Sequence, residues 1–151
     1  MVRYLVILLA AVALSAAPQL ERRGDGLWYD KTKNIPITGK IFSNFPTGEK
    51  KSEMNYQNGR LYGPIIHWYS NGKRQSQFQY ASGKLHGTGT YWYKGGQLQY
   101  RASYQQGLLH GRFEDWWPNG KRSSEEYYQA NRKHGLWKAW YISTPSGIDD
   151  F

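Results

Sequence analysis

WYSNGK at residues 68–73 and WWPNGK at 116–121 are copies of one phrase, and WYKGGQ at 92–97 is an altered copy between them. Their starts lie 24 residues apart. The phrase joins two aromatics to a glycine turn, and its return at fixed spacing marks a repeat architecture. From Gly39 the chain divides without insertion into blocks 39–62, 63–86, 87–110 and 111–134, with a half block from Gly135. Gly39, Gly63, Gly87, Gly111 and Gly135 are in phase. So are Gly48, Gly72, Gly96 and Gly120, and so are Tyr56, Tyr80, Tyr104 and Tyr128.

Each block holds two turns. The first ends in the in-phase glycine of the quoted phrase. The second is Asn58-Gly59, Ser82-Gly83, Gln106-Gly107 and then Ala130-Asn131, where asparagine is the best substitute for a left-handed glycine. Between turns lie six to eight residues rich in aromatics, a length that suits a strand. Two strands per block make a hairpin, and blocks in series make a meander. The expected fold is therefore all-β: an elongated antiparallel β-hairpin repeat sheet. Proline at the start of the first turn (Pro46, Pro118) favours a three-residue loop, a type I turn closed by a glycine bulge. In the simplest register of such a loop, Trp68 and Ile66 share a face with Phe78 and Tyr80. Trp92 then shares it with Leu98, Tyr100, Ala102 and Tyr104. The opposite face receives Tyr69, Tyr93, Trp117 and Tyr141, headed by Phe45, among Lys73, Gln75, Gln77, Gln79, Arg101, Lys121 and Ser123.

Composition agrees with that alphabet. The 151 residues include 13 Tyr, 7 Trp and 17 Gly, with few aliphatics beyond residue 20, so a thick core is not expected. With no cysteine, disulfides and thiolate zinc sites are excluded. Residues 1–17, MVRYLVILLAAVALSAA, place an early Arg3 before an apolar run and then small residues. This is the layout of a secretory signal peptide, and the apolar run is short for a membrane span. The domains expected are a signal at 1–17, a lead-in with a partial repeat at 18–38, the repeat domain at 39–141 and a tail at 142–151. The formal charge of +9 falls to +8 once Arg3 leaves with the signal. That is a basic protein in the periplasm or outside the cell.

The pattern G-x-x-x-x-W-Y-x-N-G-K followed by x-x-Y-x-N-G-K-x-x-G resembles the MORN-variant repeat, found in bacterial proteins of the YwqK-type antitoxin family. Gly26-Leu-Trp-Tyr, followed by Pro36-Ile-Thr-Gly39-Lys40, is similar to the start of such proteins. The resemblance covers roughly residues 24–141. It implies a β-hairpin repeat sheet used for binding, with no catalytic residues, and it names no partner. Block three departs from the pattern with Gly95-Gly96-Gln97, and His86, His110 and His134 stand before the phase glycines.

Those histidines sit about 9.6 Å apart on equivalent turns, too far to share a metal at ligand distances of about 2.0–2.2 Å. They are read as solvated, and no metal or cofactor is expected. Glu114 and Glu126 are expected on the packed face near Arg112 and Arg122. Together with Asp115 and Glu125 they are read as salt-bridging rather than acid/base groups, because no nucleophile motif accompanies them. Lys50, Arg74 and Arg122, just past the turns, suit cation–π contacts. The row Tyr69, Tyr93, Trp117 and Tyr141, flanked by Lys73, Arg101 and Lys121, is the candidate binding platform. A non-enzymatic module docking a protein partner in the cell envelope, antitoxin- or immunity-like, is the leading reading. An envelope glycan or anionic-lipid binder is the alternative, and nucleic acid ranks last for an exported chain. The sequence leaves the oligomeric state open.

Overall fold

A computed structural model describes residues 19–141; the expected signal peptide and tail lie outside the described residues. Fourteen strands follow in chain order. The lead-in forms β1 (Leu20–Arg22), β2 (Trp28–Asp30) and β3 (Ile35–Pro36). The blocks form β4 (Gly39–Asn44), β5 (Lys50–Gln57), β6 (Arg60–Leu61), β7 (Gly63–Trp68), β8 (Arg74–Ala81), β9 (Lys84–Trp92), β10 (Leu98–Gln105), β11 (Leu108–Trp116), β12 (Arg122–Gln129), β13 (Arg132–Lys133) and β14 (Lys138–Ala139). The main sheet runs β13-β12-β11-β10-β9-β8-β7-β5-β4, with β6 on β5 and β14 on β12. Each pairing is antiparallel and joins neighbours in the chain, with the short β6 and β7 both lying against β5, as a meander requires. Nine strands at about 4.8 Å spacing make a sheet roughly 38 Å across.

Both turn types are built as their residues dictate. In the first, Tyr69 N–H donates to the Lys73 carbonyl at 2.9 Å and Gly72 N–H to the Tyr69 carbonyl at 3.0 Å. The same pair of bonds recurs at Phe45/Glu49, Tyr93/Gln97 and Trp117/Lys121. This is the expected three-residue loop with a left-handed glycine, and Gly72 has φ +77°. A Cβ on Gly72 would meet nothing within 4 Å, so Gly72→Val costs conformational strain alone, about 1–2 kcal/mol. A thermal melt unchanged by Gly72→Val would contradict this. The second turn places both central residues at positive φ: Asn58 and Gly59, Ser82 and Gly83, Gln106 and Gly107, Ala130 and Asn131. That is the two-residue turn matched to strand twist. Ser82, Gln106 and Ala130 hold φ of 50–53°, which the sequence does not announce.

The register departs from the simplest one, and the departure is systematic. Trp68 opposes Arg74, but His67 opposes Ser76, so Gln75 is an extra residue. Lys51, Gln99 and Ser123 are extra in the same way in the other blocks. A bulge of this kind re-aims side chains and sharpens twist. Residues directly opposite share a face, so one added residue moves the incoming strand's aromatics to the other side. Phe78 opposes Ile65 and Gly89, while Ile66 opposes Gln77. The expectation that Trp68 and Ile66 share a face with Phe78 and Tyr80 is therefore corrected. Trp92 and Leu98 are likewise separated from Tyr100, Ala102 and Tyr104. Glu114 opposes Glu125 whereas Glu126 opposes Phe113, so Glu114 and Glu126 lie on opposite faces rather than together.

The sheet is a single layer, and its core is correspondingly small: Ile37, Tyr56, Ile65 and Ala102 are the buried apolar residues. What stiffens it is ring packing along one face. Tyr91 stacks on Tyr100 at 5.4 Å, Tyr100 on Phe113 at 5.8 Å, and Phe113 meets Tyr128 edge-on at 6.1 Å. Phe78 touches both Tyr100 and Tyr104. The lead-in sheet locks onto the first block at Gly59. Its N–H donates to the Ile37 carbonyl, and its carbonyl accepts from Trp28 N–H.

Candidate binding surfaces

Three surfaces follow from this register. The first is the ring face just described. Burial raises the hydroxyl pKa of Tyr56, Tyr80 and Tyr104 and pushes Tyr100 up to about 12. Tyr128 also reaches about 12, chiefly because its hydroxyl donates to the Glu126 carboxylate at 2.6 Å. A raised folded value means that stability is fully present below the ordinary tyrosine pKa near 10 and is lost as pH climbs through about 12. Alkaline titration followed at the tyrosinate absorbance should therefore show some tyrosines ionising only as the sheet signal disappears. A single step near pH 10 with the sheet signal intact would contradict the packing.

The second surface is the opposite face, where the phrase's leading aromatics fall into line. Trp68, Trp92, Trp116 and Trp140 recur every 24 residues, and paired register sets the first three on this side. Cations lie between the rings. Lys50 stands 5.2 Å from Phe42 and 5.0 Å from Trp68. Arg122 stands 5.8 Å from Trp116 and 5.6 Å from Trp140, and Arg101 is 5.6 Å from Trp116. Lys50 and Arg122 thus take the expected cation–π positions, while Arg74 instead donates to Gln77 at 3.0 Å. Each such contact contributes about 0.5–1 kcal/mol where exposed. Beneath them Glu114, only 3% exposed, faces Arg101 at 3.3 Å, Arg112 at 3.0 Å and Arg122 at 2.9 Å. Glu125 shares Arg112 and Arg122 at 2.8 and 2.9 Å. The hydrogen bond from Arg112 holds the Glu125 carboxyl below the usual carboxylate range. Glu114 and Glu125 are therefore cross-linked charges inside a ladder of rings and guanidinium groups.

The third surface is the row that the sequence singled out, and it lies along the sheet rather than standing on it. The Tyr69 hydroxyl donates to the Trp92 carbonyl at 2.6 Å, Tyr93 to Trp116 at 2.8 Å, and the Trp117 indole to Trp140 at 3.2 Å. Each member ties its own block to the next. Lys73 joins the same seam, donating to the Gly95 carbonyl at 2.6 Å. Lys121 is exposed at its turn, and Arg101 belongs to the Glu114 cluster instead. Tyr141 is 90% exposed. The tryptophan ladder is the feature that sequence reasoning missed. Its signal was present in the 24-residue phase, but the extra residue in each second strand hid the face on which it lies.

With this geometry in hand, three stretches, residues 37–58, 85–106 and 109–130, match the family described as MORN repeat variant. Over those stretches the chain is similar to MORN-variant repeats. The matched stretches fall in the 24-residue phase of the hairpins, each opening two residues before a phase glycine. MORN repeats are non-catalytic scaffolding and binding modules, not enzymes. No curated protein matches the chain. Among solved structures it is similar to a chain of the Glycosylation Associate Protein (Gap123) complex from Streptococcus agalactiae. The identity is 16% over 74% of this chain and 20% of that one, with a TM-score of 0.39. It is also similar to a mutant of S. aureus TarM in complex with Fondaparinux, alpha-GlcNAc-glycerol and UDP. There the identity is 12% over 78% of this chain and 21% of that one, with a TM-score of 0.40. The chain thus spans about a fifth of the length of either, and these likenesses carry no argument about a ligand. Among the described residues no helix is long and apolar enough to cross a membrane.

Proposed function

We propose that this MORN-variant sheet is a docking module that acts in the cell envelope and holds a protein partner against its C-terminal half repeat. The observation that carries the reading is the exposure there: Leu136 is 85% exposed, Trp137 63% and Tyr141 90%. Trp137 has the phase of Ile65, which neighbouring strands cover to 4%. The half repeat pairs through Lys138 and Ala139 with Glu125 and Ser124, and Trp140 N–H donates to the Ser123 carbonyl at 2.8 Å. Exposed apolar side chains beside an open strand edge are what a protein interface buries. The aromatic row supports the same reading in a changed role. Tyr69, Tyr93 and Trp117 brace the platform, and Tyr141 is its contact member. Lys121 and the positive charge of the chain speed encounter with an acidic partner. The layout of residues 1–17 supports export. An antitoxin- or immunity-like action in this setting is the capture of a protein outside the cytoplasm.

The test is retention of proteins from an envelope extract by the purified chain and by two variants. Leu136→Ala/Trp137→Ala/Tyr141→Ala should fold, since the three side chains are solvated, and lose the retained partner at least tenfold. Tyr93→Phe, which removes one rung hydroxyl, should keep it. Equal retention by the triple variant would sink the assignment.

A further inference from the structure

The edge of the sheet formed by the second turns has a property that docking at the half repeat does not use. Residues 57–62, 81–86, 105–110 and 129–134 contain no Asp or Glu, yet they hold Arg60, Lys84, Arg132 and Lys133. His86, His110 and His134 lie on the same edge and are exposed. Most cations elsewhere on the sheet have internal partners. Lys50 and Lys40 meet Glu53, Arg122 meets Glu114, and Lys73 meets a backbone carbonyl. Lys133 likewise bridges Glu126. Among the described residues, no ion pair or side-chain hydrogen bond engages Arg60, Lys84 or Arg132.

This edge is also hollowed at two equivalent places. One cavity of about 210 Å³ is lined by Gln57, Asn58, Arg60, Tyr62 and Ser82. Three blocks later, a cavity of about 510 Å³ is lined by Gln129, Ala130, Arg132, Lys133 and His134. Gln57 and Gln129, Arg60 and Arg132, Tyr62 and His134 are equivalent positions, each 72 residues apart. A third cavity joins Arg22, Arg60 and Lys84. The turns between are held in place by Gly83 N–H on the Leu61 carbonyl, Gly107 on Leu85 and Asn131 on Leu109, so the spacing is fixed before any ligand arrives. Six strand steps of about 4.8 Å each separate Arg60 from Arg132 along this edge.

We infer that this edge binds a linear anionic polysaccharide. Uncommitted guanidinium and ammonium groups meet its carboxylates or sulfates, while the amides of Gln57, Asn58 and Gln129 and the Ser82 hydroxyl meet its hydroxyls. Equivalent cavities three blocks apart on one edge fit a polymer long enough to reach both. An acidic protein has no regular period, and single-stranded nucleic acid calls for a line of stacking aromatics, of which this edge offers one large ring, Tyr62, 52% exposed, and the smaller imidazoles of His86, His110 and His134. A fixed row loses little ordering entropy on binding, and counter-charges on a polymer make the affinity salt-sensitive.

The experiment measures binding of polygalacturonate and of dextran sulfate to the purified chain, with uncharged dextran and polyglutamate as controls. Arg60→Gln/Arg132→Gln should fold with an unchanged melt and weaken binding at least tenfold. Lys51→Gln/Lys94→Gln removes the same charge from exposed positions off this edge and should weaken it less than threefold. The inference is overturned if neither anionic polysaccharide binds, if polyglutamate binds as tightly, or if the two double variants lose equally. The last outcome would assign binding to diffuse charge. Loss of partner docking at the half repeat leaves all of these results untouched.

Discussion

Gly89→Leu is expected to be among the most damaging single substitutions in the chain. Its position is equivalent to Ile65 and Phe113, so by repeat logic a large apolar residue belongs there. The structure shows why glycine stands in block three. A Cβ on Gly89 would lie 2.5 Å from Phe78 Cε1 and 2.8 Å from Tyr104 Cε2. Those two rings, in contact with each other at 6.1 Å, occupy the space a side chain would take. Overpacking costs about 1–3 kcal/mol where the surroundings yield. Here they are rings, one of which, Phe78, also packs against Tyr100, in a sheet with no second layer to absorb the shift. We expect a loss of about 3 kcal/mol in denaturant unfolding and disturbed near-ultraviolet dichroism from the tyrosines. Gly89 has no positive φ, so the whole penalty is steric, and Phe78→Ala in the same molecule should relieve part of it. Absence of relief would show that the rings do not fill the glycine's place.

Inserting one alanine between Ser76 and Gln77 is the second large effect. Gln75 is already an extra residue in the β7–β8 hairpin. The strand then either slips one place, which turns Phe78 and Tyr80 toward the tryptophan face, or opens a second bulge after the Ser76–His67 pair. A slip forfeits the burial of each ring, about 1.5–3 kcal/mol apiece, and breaks the contact of Phe78 with Tyr100. We expect loss of cooperative unfolding across the middle blocks. Deleting Gln75 instead leaves Phe78 opposite Ile65 and should cost far less. Gln75→Ala keeps the chain length and gives up only the hydrogen bond to the Tyr91 hydroxyl, 3.0 Å, about 1 kcal/mol. Equal stability of the insertion variant and the wild type would refute the register as the device that sorts the faces.

The two substitutions separate what could be read from the sequence from what could not. Phase, turn chemistry and strand order were legible because each leaves a residue signature: Gly72 and Gly120 close the loops, and Asn131 stands where a left-handed residue is required. The second bulge leaves none. Lys51, Gln75, Gln99 and Ser123 share no residue type that favours an extra position, and the apolar set can be gathered on one face in the wrong register as readily as in the right one. For the same reason the row of Tyr69, Tyr93 and Trp117 was visible as a row but not as a set of straps. A hydroxyl's reach to a carbonyl one block away depends on tertiary register rather than on period. The pairing of Glu114 with Arg112 and Arg122 was legible as salt bridging, but the third arginine was hidden, since Arg101 reads as a flank of the aromatic row until the pairing brings all three to one carboxylate.

Docking at the half repeat is tested most directly by site-specific photo-crosslinking in envelope extract. A photoreactive residue is placed at Trp137, at Tyr141 or, on the tryptophan face, at Gln77. Crosslinks to one and the same protein from positions 137 and 141, with none from 77, are the predicted result. A partner captured at 77 but at neither terminal position would contradict it and move the interface to the face of the sheet.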